Sequence, residues 1–389
     1  MQHPQIIGWA HSKFGKAPED DVEQLLAGVI PEALEHSGVG PEEIDGIFVG
    51  VYNNGFSRQS FEGALAGMAV PALSSVPSVH LENACATGSA ALYAAMDFIA
   101  AGRGRIALVL GAEKMTATPT ADAGNIMLSA SYRKEEGDTE GGFAGVFGKI
   151  AANYFQRHGD HSLELAMIAA KNHRNGMLNP YAHMQRDFGV EFCNTPSEKN
   201  PLTAGPLRRT DCSLISDGAA ALVVASADVA ASMNRAIAFR ARNQVNDVLA
   251  LSRRDPTEFA GPRAAWAKSL KEAGVTLDDL SFVETHDCFT IAELLEYEAM
   301  GLAERGQGGR VIREGITTRE GKLPVNPSGG LKSRGHPLGA TGVSQHVMAA
   351  MQLTGEAGDM QLANVKLAGV FNMGGAAVSN YVSIMERAK

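Results

Sequence analysis

Four side chains in this sequence could form one nucleophilic centre: Cys85, His286, Cys288 and His336. Cys85 lies in His80-Leu81-Glu82-Asn83-Ala84-Cys85-Ala86-Thr87-Gly88-Ser89, where a short strand should end and a helix running through Ile99 should begin. A thiol at a helix start meets the positive end of the macrodipole and free N–H groups, which favour the thiolate. The small neighbours leave room for an acyl group. From position alone, a buried structural cysteine would read equally well.

His336 lies in Gly329-Gly330-Leu331-Lys332-Ser333-Arg334-Gly335-His336-Pro337-Leu338-Gly339, a loop too rich in glycine for ordinary core, with Pro337 fixing the backbone after it. His286 and Cys288 occupy Thr285-His286-Asp287-Cys288-Phe289-Thr290, after the strand Phe282-Val283-Glu284 and before an amphipathic helix, Ile291 to Met300. The carboxyl end of a strand is where α/β sheets place ligands. Alone, His286 reads better as a satisfied core histidine. Beside a second cysteine and His336, it reads as chemistry, and a Cys–His pair is a nucleophile with its base.

The elements that must bring these segments together recur in the chain. A helix-like stretch, Ser37-Gly38-Val39-Gly40-Pro41-Glu42-Glu43-Ile44-Asp45 and the strand Gly46 to Gly50 are echoed by Ala273-Gly274-Val275-Thr276-Leu277-Asp278-Asp279-Leu280 and Ser281 to Glu284. Ala86-Thr87-Gly88 and Ala340-Thr341-Gly342 each open an apolar helix, and Asp217 to Val224 and Gly374 to Val382 read as closing strands. Three matched landmarks in one order predict two similar halves, 1–230 and 231–389, packed as a five-layered α/β body. The helix starts at Cys85 and after His336 are then symmetry mates whose side chains can meet. The first half is longer by 115–209, which reads as a functional loop insertion.

Bulk properties exclude other classes. The 389 residues are 45% hydrophobic and 20% charged, with no run apolar enough to cross a bilayer. A net charge of −9 gives no reason to expect nucleic acid. Cys85, Cys193, Cys212 and Cys288 form no C-x-x-C pair, so neither a zinc knuckle nor a disulfide framework is expected. The start, Met1 to Gly8, shows no secretory signal, which gives a cytoplasmic expectation.

Over nearly its whole length the chain resembles the sterol carrier protein type of thiolase. The match is carried by the Cys85 segment, His286-Asp287-Cys288-Phe289, Asn326-Pro327-Ser328-Gly329-Gly330 with Gly335 to Gly342, and Asn372-Met373-Gly374-Gly375. Most thiolases have Asn-Glu where this chain has His286-Asp287, and a second catalytic cysteine where it has Asn372. In the resembling branch Cys288 replaces that cysteine.

The resemblance implies a duplicated αβαβα thiolase fold with two mixed sheets. It also implies thiolytic cleavage or Claisen condensation of 3-oxoacyl-CoA through an acyl-Cys85 intermediate. His336 would be the base, and would help to hold the Cys85 thiolate near neutrality; Cys288 would be the acid/base. The N–H groups of Cys85 and Gly374 would form an oxyanion hole, and His286 with His336 would hold the thioester oxygen. No permanently bound cofactor or metal is implied, coenzyme A being a substrate. Arg208 and Arg209 are candidates for its phosphates, and Cys193 and Cys212 read as structural. A homodimer or dimer of dimers is implied. The alternative activity, a C-acyltransferase or retro-aldolase, would need a separate zinc-ribbon partner, and a non-catalytic acyl-CoA or lipid binder would form no Cys85 adduct.

Overall fold

Apolar runs form the strands, and their pairing repeats across the chain. The structure, a computed structural model, describes residues 4–389, so Met1, Gln2 and His3 of the segment read for a leader lie outside the described residues. The strands are β1 (Gln5–His11), β2 (Gly46–Gly50), β3 (Ser78–Leu81), β4 (Ile106–Glu113), β5 (Gly218–Ala225), β6 (Ile237–Asn246), β7 (Phe282–Glu284), β8 (Leu367–Gly374) and β9 (Ser379–Arg387). They form a nine-stranded sheet in the order β3-β2-β4-β5-β1-β6-β9-β8-β7. In the first half β2 and β4 are parallel, β4 and β5 antiparallel, β5 and β1 antiparallel. In the second, β7 with β8, β8 with β9 and β9 with β6 repeat that succession.

Two separate sheets were expected, but they are joined edge to edge by one pair, Ile6 opposite Ile237. Both residues are fully buried. Buried edges left unpaired would strand backbone N–H and C=O groups away from water, and the bridge relieves this where the edges meet.

Helix Val22–Ser37 covers β1, β4 and β5 on one outer face, and helix Ala260–Ala273 covers β6 and β9 on the other. Between the halves lie helices Thr87–Ala100 and Leu338–Thr354, packed on each other. Their close crossing needs glycine at matching places. A Cβ on Gly88 would sit 2.6 Å from the Val343 nitrogen, and one on Gly342 would press into the Ser89 nitrogen. The repeated Ala-Thr-Gly therefore marks the point where the two helix starts touch. Leu92, Met96, Val109, Val343, Val347 and Phe282 belong to the core around them.

The insertion is mostly helical rather than a loop. It contains helices Thr120–Met127, Arg133–Glu136, Phe143–His158, Ser162–Gly176 and Gly189–Asn194. Phe143, Val146, Phe147, Ile150, Ala151 and Tyr154 recur at helical spacing and are buried as one stripe, a pattern that the surrounding Gly, Asn and His hide in composition. No helix among the described residues is long and apolar enough to cross a membrane.

Candidate active site

The turn between β3 and its helix aims Cys85. Ala84, just before it, has φ 51°, a left-handed conformation that costs an alanine about 1–2 kcal/mol. Hydrogen bonds hold it there: Glu82 Oε1 accepts from the Ala84 N–H at 2.6 Å, and Thr87 Oγ1 donates to the Ala84 carbonyl at 2.6 Å. Asn83 Nδ2 donates to Ser379 Oγ at 2.9 Å and to the Tyr381 hydroxyl at 2.8 Å, tying the turn to β9. Cys85 is left only 5% exposed.

Burial pushes the Cys85 thiol up to about 12; the N–H groups of Gly375 and of Cys85 itself favour the thiolate, while Glu113 and Glu82 oppose it. The expected resting thiolate is therefore absent: desolvation outweighs the helix start. The glycine N–H that favours the thiolate comes from Gly375 of the terminal glycine motif, next to Gly374. Gly374 itself lies against the Asn83 carbonyl, which would stand 2.5 Å from a Cβ at that position.

His286 and His336 meet at this sulphur. Cys85 Sγ and one ring nitrogen of each histidine all lie within 4.8 Å of one another. The two rings are 5.0 Å apart and nearly perpendicular, at 84°. His336 Nδ1 is 2.7 Å from Thr341 Oγ1, whose own proton goes to the Pro337 carbonyl at 2.8 Å. His336 Nδ1 must therefore donate, leaving a lone pair on Nε2. Burial, with Arg334 nearby, lowers this imidazole to about 3, so it rests neutral. His286 Nδ1 lies 2.9 Å from Asn372 Nδ2. Both Nε2 atoms are buried and have no hydrogen-bond partner among the described residues.

Buried carboxylates hold the loops that carry these rings. Glu113, at the end of β4, accepts from the N–H groups of Tyr52, Asn53 and Gly339, each at 2.9 Å, joining the first half to the Gly-His-Pro-Leu-Gly loop. Asp287 accepts from the N–H groups of Leu331 at 2.6 Å and Lys332 at 3.1 Å, and burial pushes it up to about 7. Glu284 and Arg334 form a buried ion pair at 3.1 Å beneath the same loop.

Cys288 is 3% exposed and lines the same cavity as Cys85 and His336, outside the group formed by Cys85 and the two histidines. Burial, with Cys85 and Glu296 nearby, pushes its thiol well above the ordinary range. The cavity has a volume of about 180 Å³. Met115, Met127 and Phe143 reach it from the insertion, and Leu214, Phe289 and Leu338 from elsewhere. Its lining contains no Asp, Glu, Lys or Arg.

The Cys85–histidine group has metal-ligand spacing, but a metal on His286 Nε2 would need a proton on Nδ1. Asn372 Nδ2 also donates to the Cys85 carbonyl at 3.1 Å, so it is a nitrogen, and it presents a donor to Nδ1. The ring is thus held in the wrong tautomer for a ligand.

Arg208 is not available for coenzyme A phosphates. It is 2% exposed, with Nε donating to Asp211 Oδ2 at 2.8 Å, Nη1 to Asn194 Oδ1 at 2.8 Å and Nη2 to the Ser162 carbonyl at 2.7 Å. A guanidinium so committed braces the insertion. Arg209 keeps an exposed side chain.

Residues 5–228 match the family model "Thiolase, N-terminal domain", and residues 243–387 match "Thiolase C-terminal domain-like". An acetyl-CoA acetyltransferase of Methanothermobacter thermautotrophicus is 34% identical over 390 aligned positions, covering 100% of both chains. Sterol carrier protein 2 of Bos taurus is 33% identical, over 96% of this chain and 70% of its own length. Benzoylsuccinyl-CoA thiolase subunit BbsB of Thauera aromatica is 30% identical, over 90% of this chain and 88% of its own. Among solved structures, the fold matches an Ltp2-ChsH2(DUF35) aldolase with TM-score 0.82 at 19% identity, over 99% of this chain and 97% of that one. It also matches acetyl-CoA acetyltransferase from Syntrophomonas wolfei with TM-score 0.74 at 21% identity, over 100% of both. The chain belongs to the thiolase family and is an acyltransferase of the thiolase type.

Proposed function

We propose that Cys85 carries the acyl group, that His336 takes its proton, and that Cys288 moves the proton at Cα, in thiolytic cleavage and Claisen condensation of 3-oxoacyl-CoA. The observation behind this reading is the meeting of Cys85 Sγ with a ring nitrogen of both His286 and His336, beside a cavity that Cys85, Cys288 and His336 line. Thiol and imidazole are both neutral at rest, so the proton passes to His336 Nε2 only as the sulphur attacks the 3-oxo carbon. The N–H groups of Cys85 and Gly374 are the donors this reading assigns to the oxyanion that forms on the attacked carbon.

In the cleavage direction the Cα–Cβ bond then breaks, and the departing acetyl-CoA enolate is protonated at its Cα. A neutral Cys288 is the acid that step needs. Its thiolate next takes the proton of incoming coenzyme A, whose sulphur attacks the acyl carbon and displaces Cys85, and Cys85 recovers its proton from His336. Condensation is the reverse. Coenzyme A serves as substrate, with no permanently bound cofactor, and Arg209 remains the candidate for its phosphates.

The uncharged lining favours apolar acyl groups, because a carboxylate buried there would find no cation. Incubation with a panel of acyl-CoAs, read by intact mass, should give a Cys85 adduct from hexanoyl-CoA about a hundredfold faster or more than from succinyl-CoA. Comparable rates would overturn the apolar assignment, and absence of any adduct would overturn the nucleophile.

The two matching halves are taken as 1–230 and 231–389, and the protein as a homodimer or a dimer of dimers. β3 ends the sheet with Val79 45% exposed, and Phe61 and Met68, 79% and 65% exposed, follow β2 in the same region. A bare edge with apolar side chains suits pairing with a second copy. Val79→Asp should shift the mass measured by light scattering from dimer to monomer; an unchanged dimer would place the interface elsewhere. Four unpaired cysteines suit a reducing compartment, which supports a cytoplasmic location. The likeness to an aldolase complex keeps a zinc-ribbon partner as the second reading, which co-purification would reveal.

A further inference from the structure

We infer that Asn372 is a positioning residue that fixes His286 as the Nε2–H tautomer, so that this ring offers the reacting thioester a donor while His336 offers a base. The inference rests on the acyl-transfer reading above and says how that site divides its work.

Asn372 is completely buried and spends its whole side chain on three contacts. Its Nδ2 donates to the Cys85 carbonyl at 3.1 Å, and its Oδ1 accepts from Ser89 Oγ at 2.7 Å. A carbonyl oxygen can only accept, so the amide orientation is set by this network. The second proton of Nδ2 then faces His286 Nδ1 at 2.9 Å. A ring nitrogen that accepts carries no proton, so the proton of neutral His286 sits on Nε2.

The neighbouring ring is held the other way. Thr341 gives its only proton to the Pro337 carbonyl and can accept solely from His336 Nδ1–H. Two nearly perpendicular imidazoles beside one sulphur thus carry opposite tautomers, one with its proton on Nε2 and one with a lone pair there. Two lone pairs would leave the developing oxyanion without a side-chain donor, and two N–H groups would leave Cys85 without a base. His286 Nε2 is buried with no partner among the described residues, a cost that a substrate oxygen would relieve.

The side chain at 372 must donate twice and accept once. Asparagine does this at this reach; cysteine and aspartate cannot. Its bond to the Cys85 carbonyl also fixes the ring relative to the nucleophile's own peptide. This gives a chemical reason for asparagine where most thiolases carry their second cysteine.

The wild-type protein labelled with ¹⁵N-histidine tests the tautomers directly. Long-range ¹H–¹⁵N spectra should show His286 with a bare Nδ1 and a protonated Nε2, and His336 with the reverse; His286→Gln assigns the signals. Asn372→Asp, which accepts where the amide donated, should turn His286 over and slow acylation of Cys85 by about 10²–10³-fold, the effect of one lost oxyanion donor. Its KM for acyl-CoA should change much less than kcat. Asn372→Ala, which leaves both tautomers open, should lose less than Asn372→Asp.

A protonated Nδ1 on His286 in the wild type, or wild-type acylation by a folded Asn372→Asp, overturns the inference. If the variants fail to fold, the wild-type spectrum decides alone. A wild-type protein that forms no Cys85 adduct would instead defeat the acyl-transfer reading, and the spectrum would still report the tautomer.

Discussion

Cys85→Ala should fold and take up no acyl group, with thiolysis reduced by a factor on the order of 10⁴ or more, the scale on which removing a nucleophile acts. The substitution deletes one sulphur from a buried position, so its stability cost should be about 1 kcal/mol. The discriminating measurement is intact mass after mixing with acetyl-CoA, followed by peptide mapping. Mapping matters because Cys212 and Cys288 line the same cavity. Burial also pushes Cys212 up to about 12, so neither pushed-up thiol stands out by acidity. What sets Cys85 apart is geometry: it alone lies within 4.8 Å of a ring nitrogen of both histidines. An adduct that moves to Cys288 or Cys212 in the mutant, with activity kept, would reassign the nucleophile.

The same contrast between acidity and geometry separates what the sequence made legible from what it did not. Repeated Ala-Thr-Gly at Ala86 and Ala340 was enough to predict that two helix starts meet, because only glycine permits that crossing. Four short segments then identified the family, since each carries residue types that its local geometry demands. Protonation was not legible. Dipole and neighbours argue for a thiolate at Cys85, but burial acts on the whole environment, which no local motif records.

Arginine type suggested a phosphate site at Arg208, yet Asp211, only three residues on, takes it first. Hydrogen-bond choices within the site were hidden for a related reason. Asn372 registered as a missing cysteine, not as a bridge to His286, because the two positions are 86 residues apart. Glu113 gave no signal at all, being the last residue of an apolar strand, although it ties three loop amides across the two halves.

Removing the second thiol should split the reaction in two. Acylation of Cys85 needs His336 and the donors around the sulphur, none of which Cys288 supplies, since it lies outside the group formed by Cys85 and the two histidines. Breaking or making the carbon-carbon bond also needs a proton at Cα. Cys288 faces the cavity, is neutral at rest, and is the buried thiol of the His-Asp-Cys-Phe segment, while Asn372 cannot act as an acid of that kind. Cys288→Ala should therefore form acetyl-Cys85 from acetyl-CoA in a single turnover at close to the wild-type rate. Steady-state thiolysis and condensation should fall by about 10²–10⁴-fold, the usual worth of a general acid or base. Deuterium uptake at the acetyl-CoA methyl group should fall with them, because exchange uses the same proton transfer. Equal losses in acylation and in exchange would mean that Cys288 supports the packing around Cys85 instead. Exchange that persists in Cys288→Ala would move the proton step to another group lining the cavity, and His336 would be the first to examine, followed by Cys212.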